Sequence, residues 1–102
     1  MTEINKNRPV ECKNITEVRC EIDTIDKAII ELLGKRFDYV KEVVKYKENT
    51  SSSIEDAGRR KIVIDSRRAW AQEAGLDPDA IEEMYLNLTQ YFINEEKKLK
   101  NI

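Results

Sequence analysis

The sequence predicts an all-α protein built from three helices, long, short and long, and three observations carry that expectation. From Ile15 onward, Val18, Ile22, Ile25, Ile29 and Leu32 recur at alternating spacings of four and three, the period of a helix that buries one face. Helix punctuation follows downstream: Gly75 is placed as a C-terminal stop, and Asp77-Pro78 supplies an N-cap with proline at the first helical position. Charged residues make up 37% of the chain against a usual share of about 25%, a surplus typical of exposed helix faces.

Residues 1–13 are polar, contain Pro9 and show no period, so they read as a loose arm. The first helix is expected from Ile15 to about Lys47, because the count continues through Arg36, Tyr39 or Val40, Val43 and Lys47 with no proline to interrupt it. Such a helix spans roughly 48 Å at 1.5 Å per residue. A compact chain of about 100 residues is only about 34 Å across, so one copy cannot cover the stripe. A second copy alongside it, in a two-fold helical dimer, is the simplest remedy. Glu48–Ser53 reads as a serine-rich linker, and Ser53-Ile54-Glu55-Asp56 resembles a capping box. A second helix is expected from about Glu55 to Ala74. The third carries Ile81, Met84, Tyr85, Leu88, Phe92 and Leu99 on one face. With 102 residues the chain suits one domain, 1–102, rather than two.

Composition removes several function classes. Eighteen Lys+Arg against 20 Asp+Glu give a net charge of -2, so no global field favours nucleic acid or a membrane surface. No apolar run approaches the roughly 18 residues of a membrane span, and the N-terminus shows no signal-peptide pattern; the expected location is cytoplasmic. Cys12 and Cys20 are the only cysteines and read as ordinary thiols in a reducing compartment. Histidine is absent, which removes the commonest general base and makes a structural zinc site implausible. An enzyme with this composition works with Arg, Lys and carboxylates, or by positioning alone.

The informative positions are charges where apolar residues are due. Arg36 follows Leu32 by four and Lys47 follows Val43 by four. In one continuous helix the two would share a face, some 16 Å apart along the axis. A cation on a buried face must be paired or must await an anionic ligand. Arginine grips a carboxylate bidentately, while lysine offers a compact charge to one oxygen. The residues leave both readings open: Arg36 pairs with an acid of another helix and Lys47 snorkels at a helix end, or both face a small anion. Glu96 repeats the pattern on the third helix, four residues after Phe92; it is either half of a structural Arg–Glu pair or a buried acid that donates a hydrogen bond while neutral. Arg19 lies near the stripe, and Arg59 and Arg60 open the second helix, with Arg60 read as a solvated charge. Gly34, mid-helix, suggests close approach of either a neighbouring helix or a ligand, with the helix favoured. Trp70, Tyr85, Tyr91 and Phe92 read as core.

Val18-Arg19 through Ile22-Asp23-xx-Asp26, then Leu33-Gly34-Lys35-Arg36-Phe37-Asp38-Tyr39-Val40-Lys41 and Tyr46-Lys47, resembles the all-helical (type II) chorismate mutases. Arg68-Ala69-Trp70-Ala71-xx-Ala74-Gly75-Leu76-Asp77 and Asp38-Tyr39-Val40-Lys41 look more like one branch of that family, the isochorismate-pyruvate lyases of salicylate and siderophore synthesis. The resemblance covers about residues 14–100. It implies an intertwined homodimer, no cofactor, and a dicarboxylate substrate, chorismate or isochorismate. Arg36 and Arg59 of one subunit and Arg19 of its partner would hold the substrate carboxylates. Val40 and Asp56 would complete the substrate-binding set, and Lys47 and Glu96 would be the catalytic pair, Lys47 at the ether oxygen. Two departures stand out. Glu96 occupies the position that is usually glutamine in bacterial members, so it would have to be protonated to donate to that oxygen. Arg60 stands where many mutases place a glutamate. The opposing reading is a non-catalytic helical dimer kept as a regulatory or interaction module.

Overall fold

The computed structural model describes residues 8–102, so the first seven residues of the expected arm lie outside the described residues. Every regular element among those described is helical. The arm contributes a 3-10 turn, Pro9–Glu11. Three long helices follow, α1 (Ile15–Val43), α3 (Ala57–Glu73) and α4 (Pro78–Leu99), with the five-residue α2 (Ser51–Glu55) ahead of α3. None of them is long and apolar enough to cross a membrane. The chain divides into two compact units, one ending at Asp38 and one beginning at Tyr39.

In the first unit, Asn14 caps α1: its Oδ1 accepts from the Glu17 amide at 2.9 Å, and Glu17 Oε2 accepts from the Lys13 amide at 3.2 Å. The start expected at Ile15 is thus set by a reciprocal pair close to a capping box. A Cβ built at Gly34 would meet nothing within 4 Å among the described residues of this one chain. The apolar stripe of α1 remains open in the single chain, with Ile22 50% and Leu32 57% exposed.

The first helix does not reach Lys47. Regular α-helix ends at Val43, a 3-10 turn covers Val44–Tyr46, and Lys47 is extended at φ -100°, ψ 151°. The tighter turn satisfies a carbonyl that the helix end leaves over, with the Lys47 amide donating to Val44 O at 3.1 Å. It also leaves the Val44 side chain buried, so Lys47 lies beyond the stripe rather than on it.

The expected linker and second helix are redistributed as well. Thr50, not Ser53, is the N-cap, with Oγ1 accepting from the Ser53 amide at 3.2 Å, while Ser53 Oγ accepts from the Glu48 amide at 3.0 Å. Ile54, only 1% exposed, anchors this short α2 in the core. Asp56 then turns left-handed at φ 42° and caps α3 by accepting from the Arg59 amide at 3.2 Å. One expected helix is therefore two, broken at a residue type that tolerates this backbone and has an oxygen to spare for the next helix.

The α3–α4 junction matches expectation. Gly75 sits at φ 78°, Leu76 N donates to Ala71 O at 2.8 Å and Gly75 N to Gln72 O at 3.1 Å, a Schellman stop that glycine enters without steric cost. Asp77 Oδ1 then accepts from the Asp79 amide at 2.9 Å, with Pro78 opening α4. Helices α2 and α3 both pack on α4, around buried Val44, Ile54, Val63, Ile64, Ala71, Phe92 and Ile93. Arg68 ties the junction to Asp79 at 2.9 Å and Glu82 at 3.1 Å. Of the aromatic residues expected in the core, Phe92 is buried, Tyr85 is half-buried, and Trp70 and Tyr91 are more than half exposed. Arg67 makes Trp70 tolerable at the surface by lying over its ring, 4.7 Å from the centroid.

Candidate active site

The seven residues expected to form a site fall in both units. Arg19, exposed, and Arg36, half-buried, belong to the first. Val40, Lys47, Asp56, Arg59 and Glu96 belong to the second.

Within the second unit the structure brings Lys47 and Glu96 together. Lys47 Nζ lies 2.8 Å from Glu96 Oε1, their side chains 19% and 7% exposed. Each element contributes to that meeting for a local reason. The 3-10 turn leaves Lys47 at the start of an extended step. Glu96 lies four residues after buried Phe92 on α4, one turn further along the same face. The Lys47 ammonium also donates to Ile54 O at 3.1 Å. An ammonium has three N–H donors, so these two bonds leave one for a ligand. The cationic point charge is thus fixed, largely desolvated, and retains a donor. A buried carboxylate needs such a partner: removing one member of a buried pair typically costs about 3–5 kcal/mol.

Glu96 is thus half of an ion pair, but with Lys47 where an arginine was expected. The snorkelling reading of Lys47 fails, because its amine turns inward. Val40 is half-buried near the end of α1. Asp56 and Arg59 meet only through the helix cap, and the Arg59 side chain is exposed. Arg60, expected to be solvated, is half-buried, with Nη2 3.5 Å from Leu86 O.

Asp56 carries two tasks at once, a cap and a left-handed backbone. We expect Asp56→Ala to lower unfolding stability by about 1–2 kcal/mol in a denaturant titration, through the lost cap and the strain on alanine at positive φ. Asp56→Asn, which keeps both properties, should stay within about 0.5 kcal/mol of the parent.

The residues that hold Lys47 were not among those expected. The Ile54 carbonyl is a backbone acceptor with no residue signature, and Lys100, which donates to Lys47 O at 2.9 Å, reads in the sequence as an ordinary last-turn lysine. An open apolar cavity of about 250 Å³ lies elsewhere on the unit, lined by Arg67, Trp70, Ala71, Ala74, Leu76, Ile81 and Tyr85. None of the expected site residues borders it.

The sequence also matches known proteins. Residues 18–97 match the family model described as chorismate mutase type II. The chain is 32% identical over 90 residues to the isochorismate pyruvate lyase of Pseudomonas aeruginosa, covering 88% of each protein. It is 37% identical over 70 residues to the T-protein of Enterobacter agglomerans, which takes in 69% of this chain and 19% of that longer protein. A bifunctional chorismate mutase/prephenate dehydratase of Buchnera aphidicola is 27% identical over 88 residues, 23% of its length. The chain belongs to the chorismate mutase type II family of enzymes.

Proposed function

We propose that this chain is a homodimeric, cofactor-free enzyme that cleaves isochorismate to salicylate and pyruvate, with rearrangement of chorismate to prephenate as its second activity. The observation that carries the reading is the Lys47 ammonium, held by Glu96 and the Ile54 carbonyl with one donor left over. Both reactions break an ether C–O bond next to a carboxylate. In the lyase reaction a ring hydrogen passes to the enolpyruvyl methylene carbon as that bond breaks, so the ring becomes aromatic and pyruvate leaves. In the mutase reaction a C–C bond forms as the C–O bond breaks. Neither needs a nucleophile or a general base, which suits a chain without histidine. The work falls to a fixed cation facing the oxygen where charge develops, and to side chains that hold a compact conformer.

In this reading Lys47 faces the ether oxygen, Glu96 orients it, and Arg36 and Arg59 bind the two substrate carboxylates. Arg19 enters from a second copy, and Val40 and Asp56 complete the pocket wall. The open stripe of α1 is the face that the second copy covers. Lyase chemistry leads because the similarity to a protein named for it spans 88% of both chains, and because Arg60 stands where a mutase would place a carboxylate. The mutase reading draws on the T-protein and Buchnera relatives. Supplying each substrate separately and following salicylate, pyruvate and prephenate tests the proposal. Salicylate and pyruvate should appear in equal amounts from isochorismate, and no product from either substrate would overturn the reading in favour of a non-catalytic dimer. A sedimentation profile that gave only monomer would overturn the homodimer.

A further inference from the structure

The last turn of α4 reaches across to the 47–56 segment three times. Glu96 Oε1 accepts from Lys47 Nζ at 2.8 Å, Lys97 Nζ pairs with Glu55 Oε1 at 2.9 Å, and Lys100 Nζ donates to Lys47 O at 2.9 Å. Lysines at a helix C-terminus usually extend into solvent, where they complement the dipole. Lys98 does so, with a side chain 73% exposed beside Glu95. Lys97 and Lys100 are instead half-buried.

Glu96 and Lys100 are one turn apart and so share a face of α4. Between them they hold both ends of a single residue, the amine and the backbone carbonyl of Lys47. Lys47 needs this grip because it lies outside regular structure, with a 3-10 turn before it and α2 beginning only at Ser51. An extended residue with four rotatable side-chain bonds would otherwise sample many amine positions. We infer that Lys100 is a positioning residue: by fixing the Lys47 carbonyl to the last turn of α4, it sets the place from which the Lys47 ammonium meets the substrate, with Lys97–Glu55 as a second tie on the same segment. This inference rests on the role proposed above for Lys47.

The test compares Lys100→Met, which keeps the stem and loses the donor, with Lys100→Arg, which keeps a donor, and with Lys98→Met as a surface control. Steady-state rates with isochorismate and amide hydrogen exchange over 48–53 are read on each. Lys100→Met should lower kcat about tenfold, the scale of one lost hydrogen bond, with KM within about threefold. It should also quicken exchange over 48–53, and Lys100→Arg should recover most of both. Lys98→Met should match the parent. If the methionine variant does not fold, Lys100→Leu, which also lacks a donor, takes its place. A kcat within about twofold of the parent overturns the positioning role, and unchanged exchange overturns the tie itself. If the parent turns over neither substrate, the proposed function fails, and the exchange measurement alone decides whether Lys100 holds the segment.

Discussion

Lys47→Ala is expected to lower kcat by a few hundred-fold while the protein stays folded. The effect should fall on kcat rather than KM, because the interaction at stake is one that strengthens as the C–O bond breaks. A preorganised donor facing developing charge in a desolvated site is worth about 3–4 kcal/mol, well above the share of one hydrogen bond in an exposed position. The Lys47 amine meets the conditions for that larger figure: its side chain is 19% exposed, and two protein acceptors already fix its direction. The substitution also strands Glu96, so the melting temperature should fall. Lys47→Gln separates the two effects. It keeps a neutral donor for Glu96, so it should recover stability yet remain slow, since the charge is gone. Kinetics on the two variants beside their thermal melts would check this, and near-parental kcat in a well-folded Lys47→Ala would remove Lys47 from the reaction.

The sequence carried the helical period and the α3–α4 junction plainly. The apolar spacing of four and three from Val18 to Leu32, Gly75 and Asp77-Pro78 each act through local chemistry that a single residue type announces. It also placed Glu96 as a charge on an apolar face and singled out Lys47, which lies beyond its stripe, although it could not show that the two face each other, since they stand 49 residues apart. The errors cluster between Val43 and Asp56. There a helical count ran on through Val43 and Lys47 while tertiary burial of Val44 and Ile54 favoured a 3-10 turn and a separate short helix. Three serines read as a linker, yet Thr50 and Ser53 turned their hydroxyls to backbone amides and closed a helical turn. Both caps at that break, Thr50 and Asp56, are residue types that can either cap or sit in a loop, so position alone did not distinguish the two. Trp70 misled for a different reason: a tryptophan at helical spacing reads as core, but a neighbouring Arg67 guanidinium covers its face instead.

Glu96→Gln is expected to keep the fold and to raise the rate rather than lower it. As a carboxylate Glu96 can only accept, and in the structure it accepts from Lys47 at 2.8 Å. The ether oxygen of a bound substrate needs donors, and in this state Lys47 alone supplies one. The glutamine amide oxygen can still accept from Lys47, while its NH2 group adds a second donor toward the same oxygen. One further hydrogen bond in the transition state is worth about 1 kcal/mol, or several-fold in rate. The balancing effect is on stability: exchanging a charge-assisted bond for a neutral one should cost about 1 kcal/mol in unfolding free energy, well below the loss from stranding either partner. Steady-state rates and denaturant titrations on both proteins decide the matter. A well-folded glutamine variant slower than the parent would show that Glu96 acts only as the carboxylate that holds Lys47.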